Sequence, residues 1–228
     1  MRSPRLRLPL LLIALVGALT AFTGCGDDED DGGETTTAAA AEGECTPAEQ
    51  PAPKEVKFDA PKEVLKVGEA ATATLKTSCG SFVIELDTDD APKTANSFAF
   101  LAEEGVYDDT WFHRIVTDAF VQGGDPQGDG TGGVGYSVEE KPPGDTSYLQ
   151  GYAAMAKTAV EPPGTSGSQF FIVAQADAGL PPDYAVFGQV VEGIDVVKKI
   201  AALGDPASGQ TGTPTEPVLL ESVTIERS

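Results

Sequence analysis

Apolar and polar residues alternate through Ala71-Thr72-Ala73-Thr74-Leu75 and again through Phe82-Val83-Ile84-Glu85-Leu86, the period of two that sends successive side chains to opposite faces of a strand. Further runs rich in β-branched and aromatic residues predict strands at 111–116, 119–122, 152–156, 169–174, 184–191 and 217–226. Two stretches break this rhythm. From Ala91-Pro92 onward, Ala95, Phe98 and Leu101 fall three apart behind a proline suited to a first helical turn, and Gly105 ends the helix. Over 193–203, Ile194, Val197 and Ile200 share one face, with Gly204 placed for a C-terminal cap. Many short strands with only two helices predict a mainly β fold closed into an antiparallel barrel, because closure leaves no exposed sheet edge.

The N-terminal third follows neither period. Arg2, Arg5 and Arg7 precede an apolar run from Leu8 to Ala21 that is too short to span a bilayer, which reads as a secretory leader over 1–24. It ends in Phe22-Thr23-Gly24-Cys25, which resembles the lipobox of bacterial lipoproteins, whose cysteine becomes the lipidated first residue. The alternative is an ordinary cleaved leader with an incidental cysteine. Residues 25–56 are an acidic, Ala/Thr/Pro-rich spacer with almost nothing large and apolar to bury, so they are expected to be disordered and extended. Residues 57–70 would form an extension packed on the folded domain, 71–228.

Composition narrows the partners. A chain of 228 residues, 40% hydrophobic, allows one ordinary domain plus tails. The net charge of -21 repels phosphate backbones and anionic lipid, which excludes nucleic acid as a partner and adsorption to membranes by charge. With Cys25 lipidated, Cys45 and Cys79 remain as a pair in an oxidising compartment and are expected to be bonded. One histidine among three cysteines cannot furnish a tetrahedral zinc site, so no metal is expected.

The chemistry lies in two segments. Phe112-His113-Arg114-Ile115-Val116 is followed by Ala119-Phe120-Val121-Gln122-Gly123-Gly124-Asp125-Pro126, which sets an arginine and a glutamine eight apart beside an aromatic. Later, Gly167-Ser168-Gln169-Phe170-Phe171-Ile172-Val173 leads another amide into an aromatic strand. Together they resemble the signature of the cyclophilin-type peptidyl-prolyl isomerases, over roughly residues 71–227. The resemblance implies an eight-stranded antiparallel barrel capped by two helices. It also implies catalysed rotation about X-Pro bonds without a cofactor, and a catalytic pair at Arg114 and Gln122. Substrate would be lined by Phe120, Ala119, Ala156, Lys157, Gln169, Phe171, Leu180 and Tyr184.

Besides Gly179, which stands where the best-known members carry a tryptophan just before Leu180, the chain departs from the family pattern at three places. Ala119 stands where the family usually has phenylalanine, and Phe120 where it has methionine or another apolar residue. Either Phe120 fills the pocket from the neighbouring position, or a bulge restores the aromatic, or the pocket is wider and activity lower. Lys157 replaces a usual asparagine in a segment that binds peptide through its backbone, and Tyr184 replaces a histidine.

Other chemistries fit less well. His113 matches a structural histidine that alternation points away from Arg114, and Trp111 reads as core. Gly164-Thr165-Ser166-Gly167-Ser168 misses the spacing of a serine nucleophile, and the Gly128–Gly135 run lacks the lysine and helix of a phosphate loop. The expected protein is a monomeric, lipid-anchored isomerase outside the cytoplasm that acts on proline-containing segments of unfolded or exported proteins. The alternative is a low-activity peptide- or protein-binding module on the same scaffold.

Overall fold

The alternation in the first two runs becomes a hairpin of β1 (Ala71–Thr77) and β2 (Gly80–Leu86), in register from Thr72 against Glu85 to Thr77 against Gly80. The computed structural model describes residues 44–228; the leader, Cys25 and the first part of the spacer lie outside the described residues. Along the chain follow α1 (Pro92–Glu103), β3 (Thr110–Trp111), β4 (Arg114–Val116), β5 (Phe120–Gly123), β6 (Val138–Glu139), β7 (Tyr152–Met155), β8 (Thr165–Ser166), β9 (Phe170–Val173), β10 (Val186–Glu192), α2 (Ile194–Ala201) and β11 (Leu219–Arg227).

Nine strands form one antiparallel sheet in the order β3-β11-β1-β2-β10-β7-β9-β5-β4, while β6 and β8 pair with each other. Eight strands were expected, and the difference lies at a single break. The strand predicted over 111–116 is interrupted at Phe112-His113, so that β3 pairs with β11 and β4 with β5. Counted as one bent strand, β3 and β4 bring the number to eight.

Both helices bury the faces that their spacing indicates. Ala95, Phe98 and Leu101 of α1 are fully buried, as are Val197 and Ile200 of α2. Phe98 stands at the centre of the barrel core, its ring 4.5 Å from that of Phe187, 5.0 Å from Tyr107 and 5.5 Å from Phe170. At the end of α1, Gly105 takes φ 68°, which lets its N–H reach Ala102 O while Val106 N–H reaches Leu101 O. This paired return satisfies the last carbonyls of the helix. The second helix stops earlier than expected, with Ala202 as its cap. Gly204 lies just beyond, its N–H donating to Ala201 O at 3.4 Å and its carbonyl accepting from Thr117 Oγ1, next to β4, at 2.9 Å.

The segment before β1 is laid against the domain from Cys45 onward, so the structure shortens the spacer expected to reach residue 56. Cys45 and Cys79 form a disulfide. Thr46 N–H donates to Ser78 O, Lys54 N–H to Pro126 O and Phe58 N–H to Val134 O. Phe58 sets its ring edge-on to Phe100 at 5.2 Å. Composition alone cannot show this, because main-chain hydrogen bonds and one covalent link, with Val56 as the one large apolar side chain packed on the core, hold residues 45–56. Closing a loop over a sequence separation of 34 contributes about 3–4 kcal/mol in the chain-entropy account.

Candidate active site

Strict alternation in β4, β5, β7 and β9 divides their side chains between two clusters. Ile115, Val121, Ala153, Met155, Phe170 and Ile172 point into the barrel core. Val116, Phe120, Ala154, Phe171 and Val173 point the other way and build a second, smaller apolar cluster with Tyr148. This outer cluster is the floor of the candidate site, and the polar residues interleaved on the same face ring it.

Arg114 faces Gln122 directly across the β4–β5 ladder, and its NH1 donates to Gln122 Oε1 at 2.9 Å. Gln122 Nε2 donates to Gln169 Oε1 at 3.1 Å. The other edge of the guanidinium donates from Nε and NH2 to the main-chain carbonyl of Gln210, at 3.3 and 2.7 Å. Gln210 belongs to a 3-10 turn, Pro206–Thr211, that runs along the free side of β4. There Ile115 N–H donates to Gly212 O, and a Cβ on Gly212 would stand 2.8 Å from Arg114 Cγ. Glycine is what lets this loop lie against the arginine. Burial lowers the pKa of the guanidinium from its ordinary value, yet arginine keeps its charge in proteins.

The aromatic rings form a row. Phe120 lies 5.7 Å from Phe171, and Tyr184 stands edge-on to Phe171 at 5.4 Å. Arg114 Cζ sits 4.8 Å above the Phe120 ring, a distance at which the ring quadrupole attracts a cation. The β4–β5 register runs without a bulge from Arg114 against Gln122 to Val116 against Phe120. Of the three outcomes left open by the sequence, the structure therefore selects the first: Phe120 fills the space beside Phe171 from its own position. Ala119 lies at the rim, half-buried against the cluster, and its carbonyl receives the N–H groups of Ala174 and Gln175.

The remaining expected residues surround this row. Leu180 and Ala156 are half-buried against the cluster, with Ala156 N–H bonded to Gln169 O. Lys157 Nζ lies 5.5 Å over the Tyr184 ring and donates to Thr158 O and Glu161 O. Gln169 faces the groove and is fixed from behind, its Nε2 donating to Gly130 O and Gly132 O, both at 3.1 Å.

Three contributors escaped the sequence reading. Asp125, fully buried, accepts main-chain N–H bonds from Gln127, Gly130 and Gly132 and so shapes the loop that holds Gln169. Its place directly after Gln122-Gly123-Gly124 was the available signal. Tyr148 is fully buried, and its hydroxyl both donates to Tyr184 O and accepts from Tyr184 N–H, each at 2.9 Å. It lies in a Pro/Gly/Asp-rich stretch where no periodicity marks it. Gln210 acts through its backbone, which leaves no trace in residue type. Trp111 is half-buried rather than core, and it spans the same loop as Asp125 by donating from Nε1 to Gly128 O. His113 lies at the strand break with both ring nitrogens buried and without a hydrogen-bond partner, and burial lowers its pKa.

An open concavity of about 690 Å³ adjoins this face, lined by Asp87, Asp89, Asp90, Glu140 and Asp145 with Tyr152 and Val186. The Glu140 carboxylate there accepts from Lys93 N–H and Thr94 N–H, which caps an α1 N-terminus that lacks a capping side chain of its own. Its role is accounted for by the helix.

The sequence model of the cyclophilin-type peptidyl-prolyl cis-trans isomerases matches residues 72–225. The chain is 39% identical over 178 residues to peptidyl-prolyl cis-trans isomerase B of Streptomyces anulatus, covering 70% of this chain and 99% of the relative. It is 35% identical over 196 residues to the probable peptidyl-prolyl cis-trans isomerase B of Mycobacterium leprae, covering 79% of this chain and 65% of that protein. In shape it is similar to a cyclophilin-type peptidyl-prolyl cis-trans isomerase of Cryptosporidium parvum crystallised in the presence of the dipeptide Ala-Pro. That likeness has a TM-score of 0.61 at 28% identity and covers 69% of this chain and 99% of the other. The barrel, the paired motifs and these matches agree that the chain belongs to the cyclophilin-type peptidyl-prolyl cis-trans isomerase family.

Proposed function

We propose that this protein catalyses cis/trans isomerisation of X-Pro bonds in exported proteins, with Arg114 as the catalytic donor and Gln122 as the residue that orients it. The barrier to be lowered, about 18–20 kcal/mol, comes from amide resonance, and no bond is made or broken. As the bond twists, resonance is lost and a lone pair develops on the prolyl nitrogen. A catalyst must therefore stabilise that twisted state better than either planar one.

One observation carries the assignment: Arg114 is oriented by neutral acceptors on two edges while part of its fork stays free. A guanidinium has five N–H donors, of which three are used, one on Gln122 and two on the Gln210 carbonyl. The free N–H groups on NH1 and NH2 are available to the prolyl carbonyl and the developing lone pair. Phe171, with Phe120 and Tyr184 beside it, offers an apolar seat for the proline ring, and Ala119, Ala156 and Leu180 complete its rim. The partly desolvated site strengthens the charged donor relative to water.

Catalysis of protein folding tests this reading. The slow, proline-limited refolding phase of an exported substrate protein, ordinarily tens of seconds, shortens in the presence of substoichiometric protein. An unchanged phase would contradict the role. The extracytoplasmic part of the proposal rests on the leader and on Cys25, which would tether a monomeric domain through the acidic spacer. Cells producing the full chain incorporate a clickable fatty acid into it and retain it in the membrane fraction, and Cys25→Ser abolishes both; an unlabelled, soluble wild-type product would refute the anchor.

A further inference from the structure

The row of rings is bracketed by cations. Arg114 stands over Phe120 at one end, and Lys157 stands over Tyr184 at the other, with Phe171 between the two rings. Neither cation forms an ion pair with a carboxylate among the described residues, although acidic side chains outnumber basic ones 36 to 15 in this chain. Both are held instead by neutral acceptors. Lys157 Nζ donates to the carbonyls of Thr158 and Glu161, which leaves one of its three donors free. The nearest acid in sequence, Glu161, turns its carboxylate to the N–H and Oγ1 of Thr158 at 2.6 and 2.7 Å, so it keeps its charge but makes no ion pair with Lys157. Neutral acceptors fix the direction of a charge without cancelling it. Each end of the slot thus presents positive charge within a strongly acidic molecule.

We infer that Lys157 is a specificity-determining residue that selects X-Pro segments carrying an acidic side chain directly before the proline. The inference rests on the isomerase reading. With the prolyl carbonyl at Arg114, the chain that follows proline leaves past Phe120, and the residue that precedes it lies toward Tyr184 and Lys157. A carboxylate there meets the free ammonium donor, whereas a basic side chain meets like charge. Because the ammonium is half-exposed, the gain is that of a partly screened pair, about three- to fivefold in kcat/KM. Selection by charge at this position also discriminates by repulsion, which accounts for a lysine where a neutral amide would serve backbone binding equally well.

The test uses catalysed exchange of three peptides, Ala-Glu-Pro-Phe, Ala-Gln-Pro-Phe and Ala-Lys-Pro-Phe, at low ionic strength. Wild-type protein is compared with Lys157→Gln and Lys157→Glu. The expected order for wild type is Glu above Gln above Lys, with the spread falling toward one in Lys157→Gln, reversing in Lys157→Glu and shrinking in 0.5 M salt as screening requires, about 3–5 Å being the Debye length in that range. Equal acceleration of all three by wild type, or a spread that survives Lys157→Gln, overturns the role of Lys157 and leaves the isomerase intact. Failure of wild type to accelerate any of the three overturns the isomerase reading and this inference with it.

Discussion

Replacing Arg114 with alanine lowers kcat/KM for an X-Pro peptide by about two to three orders of magnitude, the usual loss when a pre-aimed donor to a developing charge is removed. The fall comes mainly through kcat, because the apolar seat on Phe171 remains and ground-state binding loses only part of its contacts. Arg114→Lys recovers little. An ammonium has the charge but not the planar fork that reaches Gln122 on one edge and the Gln210 carbonyl on the other. Folding stability changes by only about 1 kcal/mol, since the side chain is half-buried and its contacts lie on the outer face of the sheet. Exchange spectroscopy for activity and urea unfolding for stability separate the two effects. A variant that kept a tenth or more of wild-type kcat/KM would remove Arg114 from the catalytic role.

Asp125→Ala produces the largest loss of stability among single polar substitutions, about 3 kcal/mol or more. It deletes a fully buried acceptor of three main-chain N–H groups and leaves those donors unsatisfied. Activity of the folded fraction falls as well, by roughly tenfold, because the same loop presents the Gly130 and Gly132 carbonyls that fix Gln169, which in turn fixes Gln122 and Arg114. Asp125→Asn keeps one good acceptor oxygen and is expected to fall between the two. Urea midpoints with kcat/KM measured well below them give both numbers. Full activity in a folded Asp125→Ala protein would show that the loop does not position the arginine.

Legibility in the sequence followed the range of the interactions. The two central motifs announce themselves because period-two alternation is local: it places Phe120 and Gln122 on one face and Val121 on the other, and Phe171 opposite Phe170. The helices are legible for the same reason, from Ala95, Phe98 and Leu101 and from Val197 and Ile200. The strand break at Phe112-His113 is not, since it arises where one segment must pair with β11 on one side and β5 on the other. Nor is the short β6–β8 pair, two residues on each side, which has too few positions to show a period. Residues 45–56 carry a disordered composition, and distant partners such as Pro126 and the Cys79 sulfur hold them in place. In the candidate site, the side chains singled out by residue type are brought together in the structure. Residues acting through the backbone, Gln210 above all, or through a loop's internal hydrogen bonds, as Asp125 does, are not singled out in this way. The displaced aromatic shows both sides of this limit. Alternation placed Phe120 on the groove face, but only the unbulged β4–β5 register shows that it lies beside Phe171 from its own position.

Two-dimensional exchange NMR of a short peptide such as Ala-Ala-Pro-Phe with substoichiometric wild-type protein reads the isomerisation itself and needs no coupled protease. Cis/trans exchange cross-peaks are expected to build up within seconds and to scale with protein concentration, against an uncatalysed process of tens to hundreds of seconds. Peptide resonances that shift with added protein while exchange stays at the uncatalysed rate would contradict the isomerase role, and would make this chain a proline-peptide binding module on a cyclophilin barrel.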